Sequence, residues 1–401
     1  MLQHIEEGSI TSVQGISAAG IYCGIKKSRK DLALIVSEVP CNAAGTFTLN
    51  KVKAAPIVIS QEIVGTPQKI KAILVNSGNA NACTGEQGFI DAYESQKYCA
   101  DKLGIAVNET LISSTGVIGV KMPMKTLKIG IDDIVTQLST NGGLDAAQAI
   151  LTTDLRVKSY AFRVQLSTGE VTIGGICKGS GMIMPNMATM LGFIATDASI
   201  EKKTLQKLIS DAVKYTFNRI TVDGDTSTND MVVILENGLS KITIKEGTED
   251  YKNFSIALKL MCQEMAKSIV IDGEGASKLI QINVLKAKTD EDANLVAKAI
   301  ANSPLVKTAF NGEDANWGRI ISAAGNSGAD FDPSKVTILF DDHAVLQPNY
   351  NITLDEVKAK AVLSKKDYVL TIDLQAGEST STWWTCDFSE DYIRINARYR
   401  T

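Results

Sequence analysis

The chain has 401 residues, of which 44% are hydrophobic and 21% charged, with a net charge of −4. That balance supports a sizeable core, and the interspersed signs leave no basic footprint for nucleic acid. No apolar stretch is long enough for a membrane span, and the first residues, Met1-Leu2-Gln3-His4-Ile5-Glu6-Glu7, lack the basic and apolar regions of a secretion signal.

In chain order, His4 falls in an N-terminus expected to fray. The densest basic cluster, Lys26-Lys27-Ser28-Arg29-Lys30, predicts a solvated turn. Short runs rich in valine and isoleucine predict strands at Leu32–Ser37 and Ala72–Val75. A helix follows at Gly85–Leu103, and Asn141-Gly142-Gly143 marks a turn. Strands are predicted at Phe162–Leu166, Val171–Cys177 and Met190–Ala195. Ser199–Tyr215 predicts an amphipathic helix with Ser199 as its cap. A strand at Met231–Leu235, a turn at Glu246-Gly247-Thr248 and a helix at Ile256–Ile269 come next. Beyond them lie a strand at Leu279–Val284, a helix at Asp292–Ile300, and strands at Val336–Phe340 and Tyr368–Ile372. The alternating run Tyr392-Ile393-Arg394-Ile395 predicts a closing strand. Grouped strands mixed with helices fit layered sheets flanked by helices better than a pure βαβ series.

Some chemistries are disfavoured. The seven cysteines are scattered without a CxxC pair, which suits free thiols in a reducing cytoplasm. No phosphate-loop or metal-ligand spacing occurs. Asp223-Gly224-Asp225-Thr226-Ser227-Thr228-Asn229-Asp230 lacks the glutamate that closes a calcium loop, so it reads as a turn or a polar segment facing an active site. With only His4 and His343, the latter at a strand end, a histidine-based nucleophile has almost no base to draw on. Cys177 reads as a small buried hydrophobe.

Thr189 stands out instead. It ends the polar, glycine-rich run from Lys178 and precedes the apolar strand Met190–Ala195. Cutting the Ala188–Thr189 bond would give Thr189 both a hydroxyl and a free α-amine, a self-contained nucleophile and base. Such an amine has a reference pKa of about 7.7–8.0 and needs little tuning to act near neutrality. Ser113-Ser114-Thr115-Gly116 could supply oxyanion donors or be an ordinary turn. Lys178 could bind a carboxylate or be solvated. Asp272-Gly273-Glu274-Gly275 could face a substrate amine or be a polar turn.

Beyond these local readings, a series of segments resembles the glutamate N-acetyltransferase (ornithine acetyltransferase) family of arginine biosynthesis. The segments are Cys41 to Thr48, Val75 to Gly85, Ser113 to Gly116, Thr152-Thr153-Asp154, Lys178 to Leu191, Asp223 to Asp230, Asp272 to Ala276, Asn316 to Ile320 and the C-terminus. The resemblance implies an α/β fold with a layered αββα core and a smaller C-terminal lobe. It implies self-cleavage between Ala188 and Thr189, into an α chain of residues 1–188 and a β chain of residues 189–401. Two of each would associate as a heterotetramer. Thr189 would accept the acetyl group, with Thr115 and Gly116 as the oxyanion hole. Thr152, Lys178, Thr189, Glu274, Asn396 and Thr401 would contact substrate. The reaction implied moves acetyl from N-acetylornithine to glutamate without metal or cofactor, in the cytoplasm, and leaves open whether acetyl-CoA is also a donor. An N-terminal-threonine amidohydrolase or aminopeptidase of similar fold is the alternative enzyme, and an unprocessed scaffold protein the non-catalytic one.

Overall fold

The computed structural model describes residues 2–184 and 190–398. These form two compact units. The first comprises residues up to 218 and 225–269, and the second 219–224 and the chain from 270 onward.

The first unit is built on one long, bent strand. β1 (Leu2–His4), β2 (Ile16–Ile21), β3 (Leu32–Phe47), β4 (Ile70–Asn79), β5 (Thr110–Val117), β6 (Lys158–Leu166), β7 (Gly169–Lys178) and β8 (Leu191–Thr196) run in chain order. They are followed by a two-residue strand, β9 (Ser199–Ile200), then β10 (Ile220–Thr221) of the second unit and β11 (Met231–Glu236). The N-terminal half of β3 pairs with β2 and β4, and its C-terminal half with β11. Between the halves the register shifts, at a stretch containing Pro40, which has no N–H to give a ladder. One half-sheet therefore reads β2-β3-β4-β5 and the other β1-β6-β7-β8-β11-β3.

Alternation decides which side chains meet. Ala33, Ile35, Ile73 and Val75 share a buried cluster with Ile176, Phe193, Ala195, Val233 and Leu235, which is the layer between the half-sheets. Leu32, Leu34, Leu74 and Ile112 point the other way, onto Ala92 and Cys99 of α2 (Gly85–Leu103) and Leu127 and Ile131 of α3 (Met124–Val135). α1 (Ala55–Val64) and α4 (Gly143–Ala149) add to the central cluster. On the far side, Gln206 of α5 (Lys202–Lys214) bonds both backbone groups of Gly45. Met261 of α6 (Glu249–Ile271) lies where a Gly175 side chain would be. The layers are helix, sheet, sheet, helix, as expected.

The second unit holds a seven-stranded sheet. Besides β10, its strands are β13 (Leu279–Ala287), β14 (Thr337–Phe340), β15 (His343–Gln347), β16 (Asn351–Ile352), β17 (Asp367–Asp373) and β18 (Ser379–Cys386), while the intervening β12 (Thr243–Ile244) belongs to the first unit and pairs there with β9. Their order is β10-β18-β13-β17-β14-β15-β16. α7 (Asp290–Asn302), α8 (Pro304–Asn311) and α9 (Trp317–Gly325) share its buried cluster. α10 (Glu356–Leu363) and α11 (Glu390–Asn396) complete the chain. Among the described residues no helix is long and apolar enough to cross a membrane.

Four local expectations are corrected. His4 belongs to β1, paired with Phe162 of β6. Ser199 is not a helix cap: it pairs with Thr243, and α5 starts at Lys202 after Glu201. Asn141 and Gly142 form the expected turn, but Gly143, its third residue, opens α4. Tyr392–Ile395 lies in α11, with Ser389 at its start and Glu390 and Asp391 in its first turn, where the helix dipole favours acids.

Phe193 sits fully buried between the half-sheets. Phe193→Ala is expected to cost about 3–5 kcal/mol, whereas Ile256→Ala, on an exposed position of α6, should stay within about 0.5 kcal/mol. Urea denaturation monitored by far-UV circular dichroism checks the contrast.

Candidate functional site

Ala188, Thr189 and Thr401 lie outside the described residues. The segments flanking residues 185–189 do not. β7 and β8 form an antiparallel pair in which Lys178 lies opposite Leu191. Before residues 185–189, Met184 N–H donates to Asp225 O at 2.8 Å, and Thr226 Oγ1 donates to Met184 O at 2.8 Å. After them, Met231 N–H donates to Met190 O at 3.0 Å. The 223–230 stretch, read as a turn or a site-facing segment, thus braces both approaches. Asp230 ends it, wholly enclosed, and burial pushes its carboxyl well above the usual range against hydrogen bonds from Ser227 and Met190 N–H.

Thr115 and Gly116 lie at the end of β5, beside the turn that ends β4. Gly116 has φ +129°, and a Cβ there would meet Gly78 C at 2.4 Å and Asn79 N at 2.7 Å, so only glycine fits. A set of asparagines holds this corner. Asn229 Nδ2 donates to Ala80 O at 2.6 Å and Ser114 O at 2.8 Å. Asn76 Nδ2 donates to Asn79 O at 2.8 Å, and Asn76 Oδ1 accepts from Ser114 Oγ at 2.6 Å. Lys178 Nζ donates to Thr115 Oγ1 at 3.4 Å. Lys178 and Thr115 are both largely buried. The predicted pair Thr115 and Gly116 is therefore brought together with Lys178.

Asp154 organises the rest. Its Oδ1 accepts from Lys158 Nζ at 2.8 Å and Gly179 N–H at 2.7 Å. Its Oδ2 accepts from Thr152 N–H at 3.0 Å, with Thr152 Oγ1 at 3.5 Å. Burial opposes its charge, but the Lys178 and Lys158 ammonium groups outweigh burial and hold the carboxyl well below the usual carboxylate range. Sequence reading quoted Asp154 only beside Thr152 and gave it no role. Lys158, four residues on, was the available signal, but an i,i+4 pair reads as surface charge unless burial is known. Cys177 is the inert residue expected: burial pushes its thiol up to about 12.

Glu274 and Asn396 meet within the second unit. Asn396 Nδ2 donates to Glu274 at 2.9 Å and to Tyr392 O at 3.0 Å. Gly275 makes the approach possible: it has φ +71°, and a Cβ would meet Tyr392 N at 2.4 Å. Ser389 Oγ donates to Gly275 O at 2.6 Å. His343 accepts the Asp355 N–H at 3.1 Å through Nε2, a strand-end contact rather than a catalytic one.

The fold and this corner define an α/β protein whose glycine–threonine turn and paired lysine suit an anionic or oxyanionic ligand. Residues 17–401 match the ArgJ family, and the chain belongs to it. It is 48% identical to the arginine biosynthesis bifunctional protein ArgJ of Thermotoga neapolitana, over 97% of this chain and 99% of the relative. The protein of that name from Caldanaerobacter subterraneus subsp. tengcongensis is also 48% identical, over 99% of this chain and 100% of the relative. A crystal structure of arginine biosynthesis bifunctional protein ArgJ from Bacillus halodurans is 43% identical, covers 47% of this chain and 98% of its own, and has a TM-score of 0.45.

Removing one partner of a buried ion pair costs about 3–5 kcal/mol, so Asp154→Asn should destabilise by that order at pH 7. Because the folded carboxyl is held low, the wild-type advantage is full above the unfolded value of about 3.9 and shrinks as pH falls below it. Urea midpoints of both proteins from pH 7 to pH 3 test this; a gap independent of pH would remove the electrostatic account.

Proposed function

We propose that this chain is an acetyltransferase that cuts itself between Ala188 and Thr189 and then moves acetyl from N-acetylornithine to glutamate through acetyl-Thr189. One observation carries the reading: Gly116, a position only glycine can fill, lies with Thr115 and Lys178, and Lys178 pairs across the hairpin with a residue two beyond Thr189. Family membership supplies the substrates, because its members are named for arginine biosynthesis. The unit-one residues Thr152 and Lys178, and Glu274, Asn396 and Thr401, are the substrate contacts of the reading. In this reading the product is a cytoplasmic assembly of two α and two β chains, and whether acetyl-CoA is a second donor is left to the experiment below.

The steps balance without metal or cofactor. The Thr189 hydroxyl adds to the acetyl carbonyl carbon, and the Thr189 α-amine takes its proton. The oxyanion accepts hydrogen bonds from Gly116 N–H and Thr115 O–H. Lys178, donating to the Thr115 oxygen, leaves the hydroxyl proton free to point elsewhere. The C–N bond breaks, the held proton passes to the leaving ornithine amine, and the glutamate amine then attacks the ester by the reverse sequence. Covalent catalysis divides one hard amide exchange into two easier steps.

Purified protein should give two fragments by mass spectrometry, the second starting Thr189-Met190-Leu191, and Thr189→Ala should give one. A single uncut chain with full activity would refute the mechanism. Thr115→Ala should lower kcat about 10²–10³-fold, the usual cost of one oxyanion donor. Incubation with N-acetylornithine and glutamate, and separately with acetyl-CoA and glutamate, reads out the donors. Acetate release without N-acetylglutamate would indicate the hydrolase alternative.

A further inference from the structure

The oxyanion corner and the strand that follows Thr189 come from distant parts of the chain, and acyl transfer depends on the spacing between such groups. One short segment, residues 226–231, reaches both. At its end, Met231 N–H donates to the carbonyl of Met190, the residue after Thr189, at 3.0 Å. Two residues earlier, Asn229 reaches the corner. Its Nδ2 donates at 2.8 Å to Ser114 O, the carbonyl of the peptide bond that leads into Thr115. Nδ2 also donates to Ala80 O at 2.6 Å, and Ala80 N–H in turn donates to Val117 O at 2.9 Å. Asn229 therefore brackets Thr115 and Gly116 from both sides, directly at residue 114 and through Ala80 at residue 117.

The amide is held in that orientation. Asn229 Oδ1 accepts from Thr228 Oγ1 at 2.5 Å, which leaves both Nδ2 hydrogens for the two carbonyls, and Asn229 N–H donates to Ser227 Oγ at 3.1 Å. The segment is pinned in its turn to the end of β3. Thr48 N–H donates to Asp230 O at 3.0 Å, Thr48 Oγ1 to Ser227 O at 2.8 Å, and Asn50 Nδ2 to Thr226 O at 3.0 Å. Asn229 is buried, so losing its amide would leave two carbonyls unpaired away from water. Leucine has similar bulk but no donor, and an ionised aspartate only accepts.

We propose that Asn229 is a positioning residue that sets the spacing between the Thr115–Gly116 corner and the start of β8, and that self-cleavage and acetyl transfer both require it. The assignment rests on the acetyl-transfer reading above and adds the group that ties its two halves together. The partners of Asn229 are backbone carbonyls and hydroxyls of the protein itself. Its loss should therefore act on kcat rather than on KM.

The test uses the full chain. Asn229→Leu should mature slowly, with uncut precursor persisting through a mass-spectrometric time course. The matured fraction should show kcat lowered about 10²-fold, the scale for a small misplacement of reacting groups, with KM for N-acetylornithine within about threefold of wild type. Asn229→Ser, whose hydroxyl is too short to reach both carbonyls, serves where Asn229→Leu fails to fold, and it must lower kcat in the same way. Gln96→Leu is the control for a merely structural loss. Gln96 is also buried and donates from Nε2 to Thr110 O at 2.6 Å, at the opposite end of β5. That variant should lose stability in urea yet keep its maturation rate and kcat. Wild-type maturation or wild-type kcat in the Asn229 variants overturns the assignment while leaving the reaction intact. So does a raised KM at unchanged kcat, or an equal loss of kcat in Gln96→Leu. A wild-type chain that neither cuts itself nor transfers acetyl from N-acetylornithine overturns the reaction reading itself, and this assignment with it.

Discussion

The first unit's site depends on one buried negative charge. Asp154 sits in the loop between α4 and β6, yet it receives Lys158 from β6, the Gly179 N–H just beyond β7 and the Thr152 N–H of its own loop. Isolating a carboxylate from water is costly unless every lone pair finds a partner. Here three nitrogens meet that demand, and the geometry they require fixes the end of β7 against the 152–158 loop. Lys178 gains a place as well. Its amine can lean toward Thr115 inside a largely buried corner because Asp154 offsets its charge. Without that carboxylate, Lys158, Lys178 and Lys26 would be cations facing one another in a poorly solvated space.

The backbone of this corner answers to a second constraint, which is steric. β4 and β5 are parallel and each carries a glycine one residue before its end, Gly78 and Gly116, at matched register. Removing both side chains lets two turns close on each other, and the asparagines at 76, 79 and 229 then satisfy backbone groups the sheet no longer pairs. Preorganisation of this kind matters for oxyanion stabilisation, because donors held before the reaction need no rearrangement during it.

Much of the fold was legible in the sequence, for identifiable reasons. The interior strands β4, β7, β8 and β11 are buried on both faces along most of their length and read as nearly continuous apolar stretches. α2 and α6 were legible through long 3.6-residue periodicity. Short segments were not. Tyr392–Ile395 alternates over too few residues to separate a strand from a helix, and the acidic pair before it was the better signal. Ser199 has the right residue type for a cap, but its backbone is committed to Thr243. In the first unit Thr115, Gly116 and Lys178 were visible as residue types; in the second Glu274 was visible as a residue type and Asn396 through the family resemblance. Asp154 and the bracing asparagines were not, since their roles depend on burial and on partners distant in sequence.

The sheet order also explains how a chain cut after residue 188 would hold together. β7 would end one fragment's contribution and β8 would begin the other's. β8 pairs with β7 along Ile173–Lys178 and, in parallel, with β11 along Met231–Glu236. β11 in turn pairs with β3 of the first fragment. Two strands of one fragment would therefore lie between strands of the other, with Phe193 and Val233 buried against Ile35 and Ile73. Separation would break two complete ladders and expose that layer. The compact units are divided elsewhere, near residues 219–224 and 270, so the proposed cut would fall within the first unit and leave each of these ladders intact. On the proposed reading the chain would gain a free amine between β7 and β8 while β7, β8, β11 and β3 keep their neighbours.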